Sequence, residues 1–389
     1  MKNFEFYLPT KINFGPGVIE KVGEEAKLLG KRAFVVTGKK SARKMGFLER
    51  LEKSLRKKGV IPIFFEKIEP NPSNQTVEEG VNLAKKEKCD LIIGLGGGSS
   101  LDAAKVISLL LTNPFPLSQY FGKNKVKFPL LPLIAIPTTA GAGSEVTPYA
   151  VITHIKDGSH QKKIIADVHL FPIKTLVDPE LTLSLPFSIT SDTGIDALSH
   201  AVESYTSNRS HSLSEMIALR SVKLLGKHLP EVIDNPEDIE ERGKVLYASM
   251  LAGIAIAQTG TTLMHAMGYR LTSDLNLPHG RANGLLLPWF WELNFPGNFE
   301  KFANLTKSLG GDIEGLTVRK AAQGGIKVVK EFLFGVGLPK LNLGEVKEKT
   351  IVEFAKEVMQ NKAKLANNPR QVSLKDIIKV YKKALWGAR

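Results

Sequence analysis

Residues 90–110 constrain the fold more than any other stretch. Asp90-Leu91-Ile92-Ile93 is an apolar run of strand length, and Gly94-Leu95-Gly96-Gly97-Gly98-Ser99-Ser100 follows it. Leu101, Ala104, Val106, Leu109 and Leu110 then recur near helical period. Strand, glycine turn and helix in that order present main-chain N–H groups and a helix N-terminus to a phosphate. Glycine suits the turn because a Cβ would block a diphosphate, and because such turns often need positive φ. Ser99 reads as the N-cap and as a phosphate donor. The spacing is neither the G-x-G-x-x-G fingerprint nor a P-loop. A tight turn that binds nothing is the competing reading, but three successive glycines exceed what a turn requires.

The same alternation surrounds this stretch. A β-like opening and a helix after Pro16 lead to Arg32-Ala33-Phe34-Val35-Val36-Thr37 as a strand and a helix over 41–58. Val60-Ile61-Pro62-Ile63-Phe64-Phe65 is a second strand, 74–87 a helix, and 132–136 another buried strand. Strands alternating with helices predict a doubly wound parallel sheet, a Rossmann-like α/β domain. Ligands of such sheets sit at the carboxyl ends of the strands. Three loops fall there: Thr37-Gly38-Lys39-Lys40, residues 94–99, and Pro137-Thr138-Thr139-Ala140-Gly141-Ala142-Gly143-Ser144. The last, with its hydroxyls, suits a diphosphate or ribose. Residues 151–165, turning at Asp157-Gly158, predict a β-hairpin. Beyond Pro186 the periodicity is helical throughout: 190–207, 212–228, 238–258, 261–272, 281–292, 298–309, 316–335, 345–361 and 373–386. The expected division is therefore 1–186, α/β, and 187–389, all-α.

A chain of 389 residues, 43% hydrophobic and 24% charged, has ample length for two domains of soluble type. No apolar run approaches a membrane span, and Met1-Lys2-Asn3-Phe4-Glu5 lacks a signal peptide's apolar core. The single cysteine, Cys89, excludes a disulfide framework and any multi-cysteine metal site. A cytoplasmic protein is expected. The net charge of +14 raises nucleic-acid binding as an alternative. The basic residues, however, are interleaved with acids, as over 49–58 and 345–356, and no basic run carries aromatics. A solvated basic surface that attracts anionic cofactors is the reading preferred here. Abundant Lys and Glu with sparse Gln and Cys point to a heat-adapted source.

The chemistry of the second half rests on histidines, of which the chain has eight. Asp196-Ala197-Leu198-Ser199-His200 puts a carboxylate and an imidazole at i and i+4 on one helical face. His265 lies in a later helix, and fourteen residues on Pro278-His279-Gly280 begins a new segment. One carboxylate and three imidazoles suit Fe²⁺ or Zn²⁺ with a position left for substrate. Taken singly, each is as readily a surface pair or a core histidine.

Several of these runs resemble the iron-containing (group III) alcohol dehydrogenase family. They are Gly96-Gly97-Gly98-Ser99 with Asp102-Ala103-Ala104-Lys105; Pro137-Thr138-Thr139-Ala140-Gly141-Ala142-Gly143-Ser144-Glu145-Val146-Thr147; Gly194-Ile195-Asp196-Ala197-Leu198-Ser199-His200-Ala201-Val202-Glu203-Ser204-Tyr205; and His265-Ala266-Met267-Gly268 through Leu277-Pro278-His279-Gly280. The resemblance implies a dehydroquinate synthase-like architecture, a dinucleotide-binding domain followed by a helical metal-binding domain, and commonly a homodimer. It implies that Asp196, His200, His265 and His279 are metal ligands, for Fe²⁺ or another divalent ion such as Zn²⁺. Gly96, Gly97, Gly98 and Ser99 would grip the diphosphate, with Asp102, Thr138, Thr139, Ser144 and Lys163 as further cofactor contacts and Asn71 on the adenosine side. The reaction implied is hydride transfer between a nicotinamide cofactor and a small alcohol or aldehyde, a primary alcohol or short diol. Glycerol-dehydrogenase-like and lyase relatives share the fold and remain alternatives.

Two positions depart from the family pattern. Many NAD-using members carry Asp after the Val-Val-Thr strand; here Gly38 stands there, followed by Lys39, Lys40 and, further on, Arg43. Losing the carboxylate removes repulsion against a 2′-phosphate and cations pair with it, so NADP(H) is expected over NAD(H). Where members often have a second histidine four residues after the first, this chain has Tyr269. It is the candidate catalytic residue, a proton donor directly or through water, or else a pocket wall. Trp289 and Phe290 are expected to line the substrate pocket.

Overall fold

A computed structural model describes residues 3–338 and 346–387. The chain divides into two compact units, Leu8–Leu185 and Pro186–Arg389 with Met1–Tyr7.

The first unit is built on nine strands: β1 (Lys11–Phe14), β2 (Arg32–Gly38), β3 (Ile61–Ile68), β4 (Leu91–Gly96), β5 (Gly122–Lys123), β6 (Leu133–Pro137), β7 (Tyr149–Lys156), β8 (Ser159–Ala166) and β9 (Lys174–Val177). Its helices are α1 (Val22–Lys27), α2 (Ser41–Lys44), α3 (Phe47–Lys57), α4 (Asn74–Lys86) and α5 (Gly98–Thr112). Six strands form a wholly parallel sheet in the order β1-β9-β6-β4-β2-β3. Both faces are covered, which is why the strands read as unbroken apolar runs. In β2, Phe34 and Val36 join one core with Val77, Val81, Val106 and Leu110, while Ala33 and Val35 join the other with Val22, Leu51 and Leu55. The chain goes outward from β2 to β3 and returns through α4 to β4 on the opposite side of β2. The loops after β2 and β4 therefore flank the point where the strand order reverses, the usual place for a ligand on such a sheet. The predicted hairpin is β7–β8, antiparallel, turning at Asp157 and Gly158 with φ of +49° and +75°.

The second unit is helical: α6 (Phe187–Thr206), α7 (Ser212–Asp234), α8 (Ile239–Thr259), α9 (Leu263–Asp274), α10 (His279–Asn294), α11 (Phe299–Ser308), α12 (Val318–Gly335), α13 (Glu348–Gln360), α14 (Lys362–Asn367) and α15 (Leu374–Trp386). Helix α6 is its axis. It buries every residue from Gly194 to Thr206 and packs against α7, α8 and α10, as an all-round buried helix must.

Some boundaries differ from the sequence reading for local reasons. The helix expected over 41–58 is two helices, because Gly46 at φ +73° interrupts it and opens the second. Helix α7 runs past residue 228 and through Pro230, its buried Leu229 and Val232 continuing the apolar face. Strands β5 and β9 and the six-residue α14 are too short to show a period. The start expected at residue 345 lies outside the described residues.

Candidate active site

In the α/β unit the turn after β4 behaves as expected, with one correction. The N-cap of α5 is Gly97, not Ser99, which is the second helical residue. The first amides of α5 accordingly have no partner within the helix. Ser99 Oγ instead accepts from Asn71 N at 3.2 Å, so two residues singled out for the cofactor are joined, Asn71 with φ +58°. A Cβ on Gly97 would lie 3.2 Å from Thr139 Oγ1, and one on Gly98 2.8 Å from Ala142 Cβ. Thr138 N donates to Gly96 O at 3.0 Å. The glycines thus allow the 138–142 loop, with Thr138 and Thr139 partly exposed, to lie against the start of α5.

Asp102 and Ser144 are occupied otherwise than expected. Ser144 Oγ donates to Asp102 Oδ1 at 2.6 Å, and Val151 N to Asp102 Oδ2 at 2.8 Å. Their hydrogen-bonding groups fasten α5 to the segment leading into β7. One turn on, the fully buried Lys105 donates to Thr147 O at 2.9 Å and Tyr149 O at 2.7 Å. Burial pushes the Lys105 ammonium down to about 8 against the fields of Asp102 and Glu145, and pushes Glu145 up to about 7.

At the end of β2, a Cβ on Gly38 would stand 3.7 Å from Ile68 O, an ordinary contact. Packing does not demand glycine there. Lys39 and Lys40 are exposed and form no ion pair among the described residues. Arg43 is engaged, its guanidinium on both Glu66 oxygens at 2.8 and 2.6 Å and on Glu49 at 3.2 Å, so it is not free for a phosphate as the sequence suggested. Lys163 lies half-buried on β8 opposite Ile152.

In the helical unit three helices converge. Asp196 and His200 stand one turn apart on α6, His265 on α9, and His279 is the first residue of α10. Ligand atoms of Asp196, His265 and His279 all lie within 4.8 Å of one another. His265 Nε2 and His279 Nε2 are 3.7 and 3.9 Å from Asp196 Oδ1. His200 is beside them rather than within that cluster, its ring stacked on His265 at 4.5 Å. Gly280 makes the approach possible: a Cβ there would fall inside the Asp192 carbonyl oxygen of α6 and 3.0 Å from Asp196 Cβ.

Partners unread in the sequence hold these ligands. Glu203, seven residues after Asp196 on the same face of α6, has no solvent exposure. Its Oε2 meets His265 Nδ1, while Oε1 accepts from Thr262 Oγ1 at 2.6 Å and His265 N at 3.2 Å. Thr272 Oγ1 donates to Gly268 O at 3.0 Å and turns a lone pair to His279 Nδ1 at 3.3 Å. Asn283, one turn after His279, places Nδ2 at 2.9 Å from Asp196 Oδ1, 3.1 Å from His265 Nε2 and 3.4 Å from His279 Nε2. The i+7 and i+4 spacings were the only sequence signals for Glu203 and Asn283.

The electrostatics follow. Burial raises the Asp196 carboxyl, but the surrounding imidazoles of His200, His279 and His265 outweigh it and hold it well below the carboxylate range. Glu203 is likewise lowered against its burial by His265 and Lys364, and His265 is raised against its burial by Glu203 and Asp196. Two nitrogens and an oxygen, preformed and backed by hydrogen bonds, are a donor set for a divalent transition metal. The buried Asn283 Oδ1, without a hydrogen bond, packs against Gly268 of α9, where a Cβ would fall 2.1 Å from it.

Tyr269 presents its ring face to His279, 5.5 Å between centroids and 11° from parallel, with Lys364 Nζ 5.0 Å over the ring. Phe290 is not a pocket wall but core, 1% exposed. Trp289 is covered by Lys330 and Lys383, at 4.3 and 5.2 Å from its ring.

A glycine-rich turn at the strand reversal of a parallel sheet suits the phosphates of a nucleotide, and the helical His/Asp centre suits a divalent metal. The models of the iron-containing alcohol dehydrogenase family match residues 9–179 and, for its C-terminal part, 190–385; the chain belongs to that family. It is 35% identical to the NAD-dependent methanol dehydrogenase of Bacillus methanolicus over 98% of this chain and 99% of the relative. It is 34% identical to the 1,3-propanediol dehydrogenase of Citrobacter freundii over 98% of each. A solved 1,3-propanediol oxidoreductase superposes with a TM-score of 0.95 at 33% identity, covering 99% of this chain and all of that one.

Proposed function

We propose that this chain is a metal-dependent alcohol dehydrogenase and aldehyde reductase that transfers hydride between NADP(H) and a primary alcohol or short diol. The convergence of Asp196, His265 and His279, with His200 alongside, carries the reading. These four residues would hold Fe²⁺, or Zn²⁺ in its place, a Lewis acid that polarises the substrate oxygen when bound. The amides at the start of α5 and the Ser99 hydroxyl would bind the diphosphate. Thr138, Thr139, Lys163 and the Asn71 loop would orient the rest of the cofactor, whose own chemistry supplies the hydride. Asp102 and Ser144 would serve by fixing the neighbouring loop. Tyr269 would wall the pocket beside His279 and exclude water. A cytoplasmic homodimer accompanies this reading.

The NADP(H) preference is supported by Gly38, where a side chain has room but no carboxylate is present, and by the unpaired Lys39 and Lys40. A preference for NAD(H) is the second reading. It is favoured by the engagement of Arg43 with Glu66 and by the printed cofactor of the Bacillus methanolicus relative. The test removes metal, restores Fe²⁺ without oxygen, and follows NADPH and NADH oxidation with butanal in parallel. Metal-dependent turnover with the higher kcat/KM for NADPH is expected. Equal or better use of NADH overturns the cofactor preference, and turnover indifferent to metal overturns the role of the histidines.

A further inference from the structure

We propose that Glu203 is the positioning residue that decides which ring nitrogen of His265 faces the metal centre. This rests on the metal-binding reading above and goes beyond naming the ligands.

The reasoning is a count of donors and acceptors around a side chain with no access to water. Three hydrogens point at Glu203: the Thr262 hydroxyl and the His265 main-chain N–H on Oε1, and the His265 ring at Nδ1 on Oε2. A carboxylate offers lone pairs only, so the ring must donate, and the hydrogen sits on Nδ1. That leaves the Nε2 lone pair directed at Asp196 and His279. The other side of the ring agrees independently. Asn283 Nδ2, 2.9 Å from an Asp196 oxygen, is a donor there, and its second hydrogen meets the nearer of two imidazoles, His265 Nε2 at 3.1 Å against His279 Nε2 at 3.4 Å, so His265 Nε2 accepts. Acceptance at Nε2 and donation at Nδ1 are one tautomer, the one that ligates through Nε2.

Glutamine in place of Glu203 keeps the volume but cannot keep this pattern. With its oxygen on Thr262 and His265 N, its NH₂ faces Nδ1 and drives the ring hydrogen to Nε2, closing the ligand position. With its oxygen on Nδ1, its NH₂ opposes the His265 main-chain N–H, which cannot turn away. Either arrangement spoils what the carboxylate provides, without altering any ligand.

The full-length protein is to be stripped of metal and reloaded with Zn²⁺. Its zinc Kd is measured by chelator competition, and ¹⁵N-histidine spectra identify the protonated nitrogen of His265. The expected wild-type result is a hydrogen on Nδ1 with Nε2 on zinc. Glu203→Gln should bind zinc ~10–100-fold more weakly, the usual effect of losing such an outer partner. A wild type that binds no zinc would sink the metal-site reading itself. A wild type that binds zinc through Nδ1 of His265 would overturn only the role of Glu203, as would an unchanged Kd in Glu203→Gln. Should that variant not fold, the wild-type spectrum still tests the proposal, since zinc on Nδ1 of His265 overturns it.

Discussion

Tyr269 occupies a position whose chemistry depends on which part of the side chain meets the site. Its ring face, not its edge, lies on His279, and Lys364 covers the other reach of the ring. A stacked ring of this kind orients an imidazole and keeps water away. Tyr269→Phe is therefore expected to leave kcat and its pH profile unchanged, measured by steady-state kinetics between pH 6 and 10. A fall of ~10²-fold or more, the loss typical of a missing general acid, would assign the hydroxyl a proton instead. At this scale the candidate ligands were legible through the family resemblance, because a carboxylate and an imidazole one helical turn apart are, by themselves, as readily a surface pair. Their supports were not. Glu203 lay in plain view seven residues after Asp196, yet only the approach of α9 makes it a partner of His265. The bond between Asp102 and Ser144 was hidden for the converse reason, since forty-two residues separate two groups that meet only once folded.

At the scale of elements, α5 does two things with one face. It begins with Gly98, directly after its N-cap Gly97, and Asp102 and Lys105, three residues apart, clasp the segment from Ser144 to Val151. Lys105→Met would remove the donor that meets the Thr147 and Tyr149 carbonyls and the charge that acts on the buried Asp102 and Glu145. Losing the hydrogen bonds of such a buried group costs about 1–3 kcal/mol, to be seen as a lower urea midpoint; an equal midpoint would refute the clasp. The pH dependence has a defined sign. Burial lowers Lys105 from 10.5 to about 8, so between those values the unfolded chain holds more protons and wild-type stability rises with pH. The gap between wild type and variant should accordingly widen from pH 8 to 10.5. Elements with a sustained period, such as α5 or α8, were legible in the sequence. Strand β9, four residues long, and α14 were not, because their pairing and packing lie outside their own sequence.

For the whole molecule, the alternation of strands with helices followed by uninterrupted helical period was enough to separate an α/β unit from a helical one. The net charge of +14 was less informative. Arg43 and Arg50 are each shared between acidic side chains, which a count of charges does not reveal. No helix among the described residues is long and apolar enough to cross a membrane. The candidate ligands lie on α6, α9 and α10. On the proposed reading a single ion ties together helices whose contributing residues span Asp196 to His279, so that unit cannot melt without releasing it. Free metal at 100 times Kd should then add ~2.7 kcal/mol of stability, raising the calorimetric midpoint, and chelation should reverse it. A midpoint blind to chelator would deny the tie. Where it holds, heat becomes a gauge of occupancy that needs neither substrate nor cofactor, and metal starvation would cost the enzyme its lifetime as well as its turnover.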